Sequence, residues 1–287
     1  MKIGVIDVGG GLRDIYGAGV FDRCMDDGVK FDYCIGVSAG SANLISYLAG
    51  QRGRNYRFYT EYPSRKEYMG ISPFLKYGSF LNLDYIYGIM SNSDGEDPLD
   101  YEAFEKNEST FIVVSIDAKT GETIYFDRSN FSKNNYQVLM ASSSIPGFCK
   151  WRKIGDRVCT DGGVGDPIPI EKAFADGCDK VVVVLTLPDG PMGLNKRDQF
   201  GSKLFKITKP EVSKLLKIRN EIYNRQLELA HEYEKQGKCL IICPDDICGV
   251  GTITKDPERL KILYQKGYDD AEKIKEFISA KDDSLKG

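Results

Sequence analysis

Several common chemistries are poorly supplied in this chain. Its 287 residues include one histidine, His231, and one tryptophan. His231 falls in the polar stretch Leu227–Tyr233 of an expected long helix, where its ring is solvated rather than set beside a nucleophile, so a histidine-based triad has no partner. Lys and Arg (39) do not outnumber Asp and Glu (42); the formal charge of −3 provides no field to draw a phosphate backbone, and no nucleic-acid partner is expected. No uninterrupted apolar run approaches the roughly 20 residues needed to cross a bilayer, so any membrane contact is peripheral, at the surface. The opening Met1–Asp7 runs from a short apolar stretch into a glycine turn, unlike a charged head, apolar core and cleavage site, and a cytoplasmic location is expected. Eight cysteines are scattered, with the closest spacings at Cys239, Cys243 and Cys248. This is neither a CxxC pair nor a zinc spacing; they read as buried free thiols, and no metal is expected. Linkers, internal repeats and low-complexity tracts are also missing, which argues for one domain over 1–287.

What is present is an alternation. Short β-branched runs at Lys2–Val8, Phe31–Ile35, Thr110–Asp117, Thr123–Asp127, Lys180–Leu187 and Lys238–Cys243 read as strands. Between them, Tyr16–Asp27, Ala39–Leu48, Lys133–Ser143, Ile170–Ala175, Pro210–Gln236 and Pro257–Ile278 read as helices, several closed by a glycine. This order predicts an α/β fold around a mainly parallel sheet. Lys180–Leu185 is apolar on both faces and predicts a strand covered on both sides. One segment breaks the pattern. An aromatic-rich stretch at about 56–95 reads as an insertion of short helices, with most of its rings in core packing, and a helical region follows at about 210–280.

Gly36-Val37-Ser38-Ala39-Gly40 ends a predicted strand and opens a predicted helix, the setting in which G-x-S-x-G forms a nucleophile elbow. Gly36 and Gly40 permit the strained turn that projects the Ser38 hydroxyl; the plainer reading is a glycine turn with a capping serine. After the first strand, Gly9-Gly10-Gly11-Leu12-Arg13-Asp14 can aim several N–H groups inward, as stabilisation of an oxyanion requires. Arg13 there either anchors the loop or meets a phosphate headgroup, and the first reading is preferred. A dinucleotide loop is the rival, with Asp32 at a plausible distance for a ribose, but Asp14 occupies its third glycine position. A tight turn without ligand is the plain alternative. With a histidine triad poorly supported, the alternative base is a carboxylate, and Asp161-Gly162-Gly163 after a short strand at Arg157–Cys159 stands out, since Gly162 and Gly163 free the chain there to approach another loop; alone, the plainer reading is a turn.

As a set, the Gly-Gly-Gly-x-Arg loop, the Ser38 elbow and the late Asp-Gly-Gly resemble the patatin-like phospholipase family, over about Lys2 to Leu187. Gln51–Arg54, Pro98–Tyr101, Ala141–Pro146, Asp161–Pro169 and the region 210–278 are further similar to a bacterial branch of patatin-like esterases. The resemblance implies a three-layer α/β/α sandwich, a Ser38–Asp161 dyad, an oxyanion hole from Gly9, Gly10, Gly11 and the Ala39 N–H, and hydrolysis of lipid acyl esters without a cofactor. A non-catalytic acyl-binding protein on the same fold, or a nucleotide-binding protein, are the alternatives. In one respect the sequence departs from the family: Asp14 stands where the loop usually has glycine, and is expected to favour the dipole of the following helix and to tune substrate charge preference.

Overall fold

The computed structural model describes residues 1–280; the last seven residues of the expected domain 1–287 lie outside the described residues. In chain order the first half runs β1 (Ile3–Asp7), α1 (Ile15–Asp26), β2 (Tyr33–Val37), α2 (Ala39–Leu48), α3 (Arg54–Thr60), α4 (Ile71–Tyr77), a π-helical stretch (Asp84–Met90), α5 (Tyr101–Lys106), β3 (Thr110–Asp117), β4 (Thr123–Phe126) and α6 (Gln137–Ser142). The second half runs β5 (Arg152–Ile154), β6 (Arg157–Asp161), α7 (Ile170–Ala175), β7 (Lys180–Val184), α8 (Lys196–Phe205), α9 (Pro210–Lys235), β8 (Cys239–Ile242), α10 (Pro257–Asp270) and α11 (Glu272–Ser279).

The strands make one sheet in which β3, β2, β1, β7 and β8 lie side by side and parallel, while β4 and the β5–β6 hairpin join antiparallel. Alternate side chains of the parallel strands enter two different cores, which is why both faces must be covered. Val5, Cys34, Val113 and Val182 pack with Phe21, Leu44 and Leu263, from α1, α2 and α10, on one face. Ile6, Ile35, Val114 and Val183 pack with Ala173, Tyr223 and Leu227, from α7 and α9, on the other. The result is the expected three-layer α/β/α arrangement, with β7 buried along its length.

Differences from the sequence reading have local causes. The helix expected from Lys133 starts only at Gln137, because Ser132 and Asn135 bridge across Asn134, which sits in the left-handed region at φ 63°. The helix expected over Pro257–Ile278 breaks at Ala271 into α10 and α11. Helix α8, capped by the Asn195 side chain, has no counterpart in the sequence reading: its fully buried positions are Gly201 and Ser202, while Phe200 and Leu204 face outward, so it lacks the buried apolar stripe that signals a helix. In the aromatic insertion Tyr59, Tyr62 and Tyr68 are core residues as expected, but Phe74 and Tyr77 are exposed.

Candidate active site

Strand β3 decides how two distant loops meet. Its one edge is paired with β4; along the other edge β2 runs parallel as far as Val37 opposite Val114, and β6 arrives antiparallel to end with Asp161 opposite Ser115. Two strands therefore converge head-on at consecutive residues of β3. The residue that follows β2 is Ser38, and the residue that ends β6 is Asp161. Although 123 residues apart in the chain, Ser38 Oγ donates to Asp161 Oδ2 at 2.7 Å.

Ser38 itself is held in a strained backbone, φ 55° and ψ −126°, a conformation that costs a side-chain-bearing residue about 1–3 kcal/mol. The surroundings over-determine it. Its N–H donates to Ser142 Oγ at 2.8 Å, and its carbonyl accepts from Ser41 Oγ at 2.6 Å. Gly40 is required beside it because a Cβ there would lie 2.4 Å from the Asp7 carbonyl. Asp161 is fixed as firmly: its N–H donates to the Ser144 carbonyl at 3.1 Å, and Gly163 N–H donates to its Oδ1 at 2.8 Å. The Gly163 carbonyl in turn accepts from Arg219 Nε, on α9. Burial pushes the Asp161 carboxyl from its ordinary 3.8 up to about 6, against the downward pull of the Ser38 and Gly163 hydrogen bonds and the Arg219 charge. It is thus largely ionised at neutral pH, with a basicity well above that of an exposed aspartate.

The glycine loop lies against the elbow. Gly9 has φ 70° and approaches so closely that a Cβ would sit 2.2 Å from the Val37 carbonyl. Its N–H, one of the anticipated oxyanion donors, is turned onto Asp7 Oδ1 at 3.2 Å, so its part in the loop is conformational. Among the described residues nothing in the protein accepts from the N–H groups of Gly10, Gly11 or Ala39. Ala39 N–H also lies at the start of α2, where the helix dipole adds positive character. Arg13 anchors this loop: its Nε donates to Thr186 Oγ1 at 3.3 Å, and that hydroxyl donates to the Gly9 carbonyl at 2.6 Å. Leu12 N–H is tied to the Thr252 carbonyl at 2.9 Å. Asp32, the residue a dinucleotide loop would direct at a ribose, instead accepts from Ile3 N–H at 2.7 Å at the opposite end of the strands.

Asp14 corrects the expectation placed on it. It is fully buried and makes no capping hydrogen bond; its carboxyl faces the acid Asp7, and the Gly17 N–H gives it only a minor compensating pull. Burial raises it well above the ordinary carboxylate range, and the nearby Asp7 charge raises it further. Both effects favour the protonated, neutral form of Asp14. A neutral, enclosed acid neither feeds the helix dipole nor tunes the charge felt by a substrate. Instead it completes a polar cluster in which Asn43 Nδ2 donates to Asp7 Oδ2 at 3.1 Å and to the Asp14 carbonyl at 3.0 Å.

Ser38 and Asp161 open into a cavity of about 940 Å³, within the size range of sites for a sizeable organic ligand. The insertion supplies Phe58, Tyr68, Phe80 and Tyr87 to its wall; Arg13, Arg197 and Arg219 supply charge. His231 is absent from this wall and contacts Asp189 and Glu234 on the surface. Ser142, Thr186 and Arg219 carry no distinguishing signal in the sequence: Ser142 lies in the Ala141–Pro146 stretch, which has no motif role of its own, and Arg219 is one of many charges on a long polar helix. Among the described residues no three His, Cys, Asp or Glu side chains are placed to hold a metal ion, and no helix is long and apolar enough to cross a membrane.

A model of the family described as patatin-like phospholipase matches residues 8–174, more than half of the chain. The chain belongs to that family. Residues 209–280 match a second family, a domain of unknown function (DUF6363); in this patatin-like protein that region supplies Arg219 and Thr252, which tie down the Asp161 loop and the glycine loop. The uncharacterized protein YjjU of Escherichia coli K12 is 27% identical over 194 residues, 65% of this chain and 52% of that protein. The chain thus covers about half the length of this curated relative. VipD from Legionella pneumophila shares the fold at a TM-score of 0.50 and 11% identity, with 97% of this chain and 67% of that one covered.

Proposed function

We propose that this protein is a lipid acyl hydrolase, of phospholipase A or carboxylesterase type, working through a Ser38–Asp161 dyad. The observation that carries the reading is the 2.7 Å hydrogen bond from Ser38 Oγ to a buried Asp161 carboxylate at the wall of a large cavity. As Ser38 Oγ attacks the ester carbonyl, its proton passes to Asp161 Oδ2. Negative charge gathers on the carbonyl oxygen, where the N–H groups of Gly10, Gly11 and Ala39 receive it in place of water. Collapse returns the proton to the departing alcohol and leaves an acyl group on Ser38. Water, deprotonated by the same Asp161, then releases the fatty acid and restores the hydroxyl. Every proton is accounted for by one carboxylate, so the sequence of steps calls for no cofactor.

Substrate class follows from the walls. The insertion's rings suit an acyl chain, and the arginines suit the polar end of an amphiphile. The deciding experiment pairs fluorophosphonate labelling, mapped by peptide mass spectrometry, with hydrolysis of a phospholipid and neutral-ester panel. Label on Ser38, and a loss of roughly 10³-fold or more in kcat for Ser38→Ala, are expected. An unlabelled Ser38 together with unchanged turnover in Ser38→Ala would refute the reading.

A further inference from the structure

Of the 14 large apolar side chains exposed among the described residues, eight fall on two elements, α4 (Ile71, Phe74, Leu75, Tyr77) and α8 with its flanks (Leu194, Phe200, Leu204, Ile207), with Leu75 79% and Ile207 92% accessible. A monomer in water rarely leaves such a surface uncovered. Both elements lead to one ring, Phe148. Phe80, shortly after α4, donates its N–H to the Phe148 carbonyl and packs edge-on against that ring at 6.0 Å. Arg197, near the start of α8, lies over the same ring at 5.8 Å. Phe80, Phe148, Arg197, Phe200 and Leu204 all line the Ser38 cavity, so the apolar surface continues into it.

Charge is distributed just as unevenly. The segments 65–80, 147–154 and 194–209 hold eleven Lys and Arg against two acids, Glu67 and Asp198, in a chain of formal charge −3. Arg65 and Arg152 are paired with Glu96 and Asp84, and nine basic side chains remain. Apolar side chains in a basic surround match a surface whose interior is hydrocarbon and whose face is anionic; a nucleic acid would satisfy the charge but not the exposed leucines and isoleucines.

We propose that the face made by α4, the 147–154 loop and α8 docks on an anionic lipid bilayer and sets the mouth of the Ser38 cavity against it. The purpose assigned to the docking rests on the hydrolase reading above; the docking itself does not. Flotation of the full chain with vesicles of phosphatidylcholine, with and without phosphatidylglycerol, tests it. Binding is expected to the mixed vesicles, and to weaken in high salt. Ile71→Ser/Leu75→Ser/Ile207→Ser and, separately, Lys203→Glu/Lys206→Glu each weaken it by about tenfold or more, given that each basic residue near an anionic surface contributes on the order of fivefold. None of these five side chains lines the cavity, so hydrolysis of a soluble short-chain nitrophenyl ester stays unchanged. Wild type that ignores the mixed vesicles, or variants that bind them as tightly as wild type, would overturn the docking. So would light scattering showing a vesicle-free dimer that the triple serine variant dissolves, because the face would then be covered by a second copy. Vesicle binding without ester hydrolysis would sink the hydrolase reading alone; hydrolysis without vesicle binding would sink the docking alone.

Discussion

Replacing Asp161 by asparagine is expected to abolish turnover and yet stabilise the fold. The physical reason is that an enclosed carboxylate is held ionised at a cost. Burial raises this group from 3.8 to about 6 in the folded protein, whereas the unfolded chain titrates near the ordinary value. Between those values the folded state binds the proton and the unfolded state does not, so stability falls as pH rises from about 4 through about 6, then levels. At about 1.4 kcal/mol for each tenfold change in acidity, the ionised side chain costs the fold up to about 3 kcal/mol at pH 8. Asparagine avoids this cost without losing either contact. Its carbonyl oxygen accepts from Gly163 N–H in place of Oδ1, and its amide donates to Ser38 Oγ in place of Oδ2 accepting from it. At roughly 2 °C per kcal/mol for a chain of this length, Asp161→Asn should melt about 6 °C above wild type at pH 8. The two should approach each other near pH 4. The Asp7–Asp14 pair is present in both proteins and drops out of the difference. Scanning calorimetry at intervals from pH 4 to 8 measures it; a difference that is flat with pH, or a variant less stable at pH 8, would refute the reasoning.

Further expectations follow from the same contacts. On a soluble ester, kcat/KM should rise with pH through an inflection near 6, as Asp161 loses its proton, in a stopped-flow or spectrophotometric profile. Arg219→Gln removes both the clamp on the Gly163 carbonyl and a charge that lowers Asp161, so kcat should fall by about tenfold and the inflection should move to higher pH. A role confined to packing would lower the melting temperature without moving that limb. Asp14→Asn mimics the neutral acid; it should fold and turn over within about twofold of wild type, and chemical denaturation should show that it escapes the stability wild type loses as pH rises through the raised Asp14 value.

Local signals carried much of this protein in its sequence. Val181–Val184 needs cover on both faces because no polar side chain interrupts it, and Gly36 and Gly40 around Ser38 announce a turn that larger residues could not make beside Asp7 and Ser41. The lone histidine on a polar helix leaves a carboxylate as the candidate base, and the glycines after Asp161 mark one candidate among many. These readings need only the chemistry of near neighbours. Contact between Ser38 and Asp161 is different in kind, because it depends on β2 and β6 sharing one edge of β3, and strand pairing across such separations leaves no mark in either segment. The same applies to Gly9, whose N–H is claimed by Asp7, and to Asp14, whose charge is removed by enclosure rather than by anything adjacent in the chain. Arg219 could be identified only after α9 was laid across the Asp161 loop. What a residue is follows from the sequence; how much water surrounds it, and which backbone group faces it, are settled by packing, and those two quantities govern both its acidity and its role.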